Sequence, residues 1–68
     1  MTTITKYYIV VKTPARPTPA RYGSPVTTRE NAILRAQYMQ DQHASPDEIW
    51  GVEVVNVTET TEELVWMQ

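Results

Sequence analysis

The sequence predicts a two-layer α+β fold, ordered β-α-β-β, in which a three-stranded sheet carries one main helix on one face. Three observations predict it. Residues 3–12 are rich in β-branched and aromatic side chains, residues 28–43 repeat apolar positions at helical spacing behind a capping signature, and residues 52–67 hold two strand-like runs around a polar turn.

The first strand spans Thr3 to Lys12. Thr5, Tyr7, Ile9 and Val11 fall on one face, and Tyr8 and Val10 lie on the other between Lys6 and Lys12. The second face is therefore semi-polar, as in a sheet covered on one side only.

Residues 13–25 are expected to form a Pro/Arg-rich loop. They hold all but one of the five prolines and a short repeat, Thr13-Pro14-Ala15-Arg16 and Thr18-Pro19-Ala20-Arg21. That proline density excludes helix and interior strand and favours extended polyproline II. Arg21-Tyr22-Gly23 is positioned for a brief edge pairing with the first strand before Gly23-Ser24-Pro25 turns the chain. A connection longer than about 12 residues is unusual in a compact domain and points to function or disorder.

Thr27-Thr28-Arg29-Glu30 opens a helix with a capping box, a threonine cap receiving the Glu30 N–H and the Glu30 carboxylate reaching back. Ala32, Ile33, Ala36, Met39 and His43 form its core stripe, the alanines allowing close approach to the sheet, while Leu34 and Tyr38 pair on a separate flank. Pro46 stops the helix. Ser45-Pro46-Asp47-Glu48 reads as a second start of about one turn before Gly51. Val52 to Thr58 is expected as a strand with valines on both faces, or with a bulge at Val54-Val55. Thr58 to Thr61 supplies a turn, and Leu64 to Met67 a last strand, preferred over a short helix capped at Thr60-Thr61.

The chain, 68 residues and 7.8 kDa, is expected to be one domain, 1–68. It contains no cysteine, and so neither disulfides nor thiolate metal sites. Its longest apolar run, Tyr7 to Val11, is too short to span a membrane, and residues 1–6 do not read as a secretory signal, so none is expected. A cytoplasmic protein without membrane contact is expected. The charge is split: six bases against two acids through Ser45 give +4, and six acids without a base from Pro46 onward give −6. The simplest account is that the basic half packs beside the acidic half.

Catalytic equipment is sparse. With one histidine, two serines and two glycines there is no triad, no metal-ligand spacing and no phosphate-binding glycine loop, so no catalytic residue, metal or cofactor is expected. His43 reads as a structural residue near a helix C-terminus. Binding surfaces are the remaining candidates. Arg16, Arg21 and Tyr22 belong to the basic loop; Leu34 and Tyr38 form an apolar helix flank; Trp50 reads either as core or as an interface anchor ringed by acids. Trp66 is assigned to the core.

Lys6-Tyr7-Tyr8-Ile9-Val10-Val11, Arg21-Tyr22-Gly23-Ser24-Pro25, Thr28-Arg29-Glu30-Asn31-Ala32, Gly51-Val52-Glu53-Val54-Val55 and a Trp-containing end make a pattern that resembles the small sheet-plus-helix accessory and inhibitor proteins of phages, especially those of actinobacteria. The resemblance implies binding to a host protein or protein complex in the host cytoplasm. It carries over no individual functional residue. The expected function is therefore a non-enzymatic protein-binding module of phage or mobile-element origin. The alternatives are a weak nucleic-acid binder through the basic loop, with steep salt dependence, and a structural homodimer.

Overall fold

The computed structural model describes residues 5–67. Five elements follow one another: β1 (Lys6–Lys12), β2 (Ala20–Val26), α1 (Arg29–Gln42), β3 (Ile49–Val55) and β4 (Thr61–Trp66). The expected start of β1 at Thr3 lies outside the described residues. The strands form one sheet in the order β2-β1-β3-β4, every neighbouring pair antiparallel. The α+β class stands, with four strands instead of three.

The extra strand is the second half of the expected loop. Ala20, Arg21 and Tyr22 pair with Val11, Val10 and Ile9, and Val26 pairs with Tyr7. Pro25, lacking an N–H, is accommodated because β2 is an edge strand and the register slips around Gly23-Ser24-Pro25. Gly23 there has φ +75°, a left-handed conformation that glycine adopts without a Cβ penalty. The irregular segment shrinks to residues 13–19. Thr13 and Arg16 exchange backbone hydrogen bonds of 3.1 and 3.0 Å, closing a turn where polyproline II was expected.

Because β2 precedes the helix, the strand–helix–strand unit joins β2 to β3, which run parallel to each other with β1 between them. β1 and β3 themselves are antiparallel.

α1 is capped by Thr28, whose side chain accepts from the Asn31 N–H at 3.3 Å, one residue later than the box expected through Glu30. Ala32 and Ala36 are fully buried and Ile33 and Met39 half-buried against Ile9, Trp50, Val52 and Val54, which makes the main core. His43 is the C-cap, exposed beside Tyr38 with ring centroids 5.2 Å apart, and is not part of the core stripe. Gln40 ties the helix to β3: its Oε1 accepts from the Trp50 N–H at 2.8 Å and its Nε2 donates to the Glu48 carbonyl at 3.2 Å.

β3 begins at Ile49, earlier than expected, and is buried on both faces with a register slip at Val54/Val55. A loop stitched by the Asn56 side chain, which accepts from the Thr58 and Thr60 N–H groups at 3.0 and 3.1 Å, leads into the hairpin partner β4. On the sheet face away from the helix, Trp66 lies across Gly51 and Lys12 Nζ sits 4.2 Å from the Trp66 ring centroid. Trp66 is thus half-buried on the outer face and is not a member of the main core. Val10 and Val55 are sealed on this face, at 0% exposure, without a second layer over them among the described residues.

Candidate interaction site

α1 lies mainly over β3 and β1 and touches β2 only at its margin, because the two small residues at its centre seat it on the middle of the sheet. This leaves a groove between α1 and the edge strand. One cleft occupies it, and a second adjoins it on the helix surface. The first, of about 590 Å³, is lined by Ser24, Pro25, Val26, Thr27, Asn31, Leu34 and Arg35. The other, of about 380 Å³, lies along the helix between Leu34, Arg35, Tyr38 and Met39. Leu34 and Tyr38, four residues apart, are 61% and 58% exposed, so their apolar surface is presented to solvent and not folded back onto the sheet edge.

Tyr22 continues this side. It stands on the helix-side face of β2, 56% exposed, with its ring edge-on to Trp50 at a centroid distance of 5.2 Å. Gln40 also contacts Trp50, which puts Tyr22 beside the C-terminal half of the helix. Of the sequence candidates, Leu34 and Tyr38 therefore share the groove and Tyr22 flanks it.

The others lie elsewhere. Arg21 follows strand alternation to the outer face, where its Nε donates to Glu53 Oε1 at 2.9 Å and its guanidinium covers the Tyr8 ring at 4.0 Å from the centroid. Arg21 and Tyr22 are strand residues pointing to opposite faces, not partners on a loop. Arg16 is exposed at the end of the Thr13–Arg16 turn. Trp50 is 5% exposed, and its expected role as an exposed anchor is corrected by its place between Tyr22 and the core. Its Nε1 is buried without an acceptor. Arg35, Pro25, Val26 and Met39 also line the clefts and are not among the binding candidates the sequence offers. The signal for Arg35 was its position beside Leu34 with no acid three or four residues away.

The charge split resolves into three ion pairs, each joining the basic half to the acidic half: Lys6 to Glu59 at 3.1 Å, Arg21 to Glu53 at 2.9 Å and Arg29 to Glu63 at 2.7 Å. Burial alone would push the Glu53 carboxyl up, but hydrogen bonds from Arg21 and from the Thr61 hydroxyl together hold it below its ordinary value. The side-chain hydrogen bond to Glu59 raises Lys6, and that to Glu63 raises Arg29. Among the described residues Lys12, Arg16 and Arg35 have no ion-pair partner, and no group of three metal-ligating side chains converges. No described helix is long and apolar enough to cross a membrane. No family model, curated protein or solved structure matches the chain, so the site is read from its own geometry.

Proposed function

We propose that the chain is a non-enzymatic protein-binding module that docks a host protein through the α1/β2 groove, in keeping with the phage-type pattern of its sequence. One observation carries the reading. Leu34, Tyr38 and Tyr22, three of the large apolar side chains most exposed in the protein, all lie on the side where the helix fails to cover the edge strand. Exposed apolar surface gathered around a cleft is what a partner surface uses, whereas singly scattered residues mean nothing. The other large exposed groups, Val57 and Leu64, lie apart from this face, in the hairpin loop and on β4.

The nucleic-acid alternative weakens on the same geometry. Of the basic side chains in and beside residues 13–25, Arg21 is held by Glu53 and Arg29 by Glu63. Few contacts mean little counterion release and low affinity.

The experiment is capture of partners from host lysate, after nuclease treatment, by the tagged full chain and by its Leu34→Glu/Tyr38→Glu variant. Both positions are exposed, so the variant should keep its melting temperature while losing a stoichiometric protein partner. Equal capture by both forms would refute the site assignment. A set of nucleoproteins that disappears with nuclease would replace protein binding by the nucleic-acid reading.

A further inference from the structure

The groove holds an unbalanced charge beside exposed apolar side chains. Arg35 lines both clefts. Its helical neighbours Asn31, Ala32, Tyr38 and Met39 carry no carboxylate, and neither does the facing Ser24–Thr27 stretch. Arg29, on the same helix, is held by Glu63 at 2.7 Å, while Arg35 has no such partner among the described residues. Around it Leu34, Tyr38 and Met39 on the helix and Pro25 and Val26 on the strand are apolar, while Asn31 on the helix and Ser24 and Thr27 opposite are polar.

Building on the protein-binding reading above, we infer that the groove takes an acidic-apolar peptide segment of the partner, a large apolar residue next to an Asp or Glu. The apolar side chain covers Leu34, Tyr38 and Met39 in the smaller cleft. The carboxylate meets Arg35 from the side of the larger one. The planar guanidinium binds a carboxylate through two parallel N–H donors, and the larger cleft has further donor groups in the Asn31 amide on the helix and the Ser24 and Thr27 hydroxyls opposite. Charge complementarity selects this occupant over the others. A second copy of the chain, docked about a two-fold axis through the same patch, would bring two unpaired Arg35 side chains together. A polyanionic strand finds one free cation here, too few for phosphate-driven affinity.

The test uses the full chain, labelled with ¹⁵N, and three probes. They are a fluorescein-labelled peptide Gly-Ser-Asp-Leu-Phe-Glu-Ser-Gly, its counterpart with Lys at both acidic positions, and an oligothymidylate. Amide shift mapping and anisotropy are read at low salt and at 0.5 M NaCl. The acidic peptide should shift Val26, Leu34, Arg35 and Tyr38. It should bind about threefold to fivefold more tightly than the Lys peptide, the range of one exposed ion pair, with the preference fading at high salt. Arg35→Glu, on an exposed helix position, should reverse the preference and leave the melting temperature unchanged.

Equal binding of both peptides at this face would overturn the charge inference and leave protein binding standing. Absence of shifts with either peptide at millimolar concentration would also overturn it, and the lysate capture with Leu34→Glu/Tyr38→Glu then judges the broader reading independently. Stronger shifts of the same amides by oligothymidylate, or their broadening by self-association without peptide, would overturn it in favour of a strand or a second copy.

Discussion

A methyl group added at Gly51 tests the packing of the outer sheet face. In a strand whose φ and ψ suit alanine, Gly→Ala ordinarily stabilises by about 0.4–1 kcal/mol, because the unfolded chain loses freedom. At Gly51 the sign should reverse. The new Cβ would overlap the Val65 carbonyl oxygen and stand 2.6 Å from Cε3 and 3.1 Å from Cζ3 of Trp66. The oxygen belongs to β4 backbone in the ladder with β3, so relief requires strand separation. The indole can swing away only by leaving its contact with Lys12. Overpacking of this kind costs about 1–3 kcal/mol, and a surface cation–π contact about 0.5–1. After the chain-entropy gain, Gly51→Ala should lose about 1–3 kcal/mol. A domain of 68 residues has only about 3–10 kcal/mol in total, so the shift is large. Urea unfolding followed by far-ultraviolet circular dichroism measures it. In a Trp66→Leu background the penalty should shrink, while the Val65 overlap should keep it above zero. A Gly51→Ala variant as stable as the wild type would refute the close β3–β4 packing on which the outer face depends.

The remaining expectations use the same unfolding assay. Gly23→Ala meets no atom within 4 Å but must adopt φ +75°, so it should cost about 1–2 kcal/mol through backbone strain alone, and a D-alanine placed there by synthesis should recover it. Gln40→Ala strands the Trp50 N–H and the Glu48 carbonyl at the helix–sheet junction and should cost about 1–3 kcal/mol, and Gln40→Glu, which accepts from Trp50 but cannot donate to the Glu48 carbonyl, should recover only part of it. Glu53 is held below its ordinary value in the folded protein. Below the unfolded glutamate value of about 4.3 the unfolded chain binds more protons than the folded one, so the contribution of Glu53 to stability is complete above that pH and is lost as the pH falls through its folded value. Stability between pH 7 and pH 3 should therefore fall less steeply in Glu53→Gln than in the wild type, and equal slopes would contradict the Arg21–Glu53–Thr61 arrangement.

Legibility of the fold in the sequence followed the length of the local signal. The first strand, the helix with its two buried alanines and the final hairpin carry period-2 or helical patterns over several residues, and each appears where expected within a few positions. The β3 slip at Val54/Val55 was visible because valines crowd both faces. β2 was reduced to a brief pairing because Gly23 and Pro25 interrupt its pattern, and only an edge position makes them tolerable; edge position is a property of the assembled sheet. β2 also reverses the chain before the helix, so that β1 and β3 run antiparallel and the parallel crossover joins β2 to β3. Trp66 misled for a related reason. Its apolarity says that it is covered, but the glycine it lies on and the lysine above it come from two other strands. At the site, the Leu34/Tyr38 flank could be read from i,i+4 spacing, whereas the grouping of Arg21 with Tyr22 could not survive their alternation onto opposite faces of β2.

The two faces of the sheet show why exposure on the groove side carries weight. The outer face has no second layer among the described residues, yet it closes itself: Trp66 lies over Gly51, Lys12 over Trp66, Arg21 over Tyr8, and Val10 and Val55 are left without solvent contact. The aliphatic stems of lysine and arginine are suited to such cover, since their charged heads stay in water. The helix side had the same resources available and did not use them. Arg35 is adjacent to Leu34, but Leu34 and Tyr38 remain more than half exposed, and the cleft beside them stays open to β2. In a chain this small, apolar surface left in water is apolar surface withheld from a limited core, and that cost at a flank beside a guanidinium with no ion-pair partner among the described residues is the reason the proposed docking is placed there.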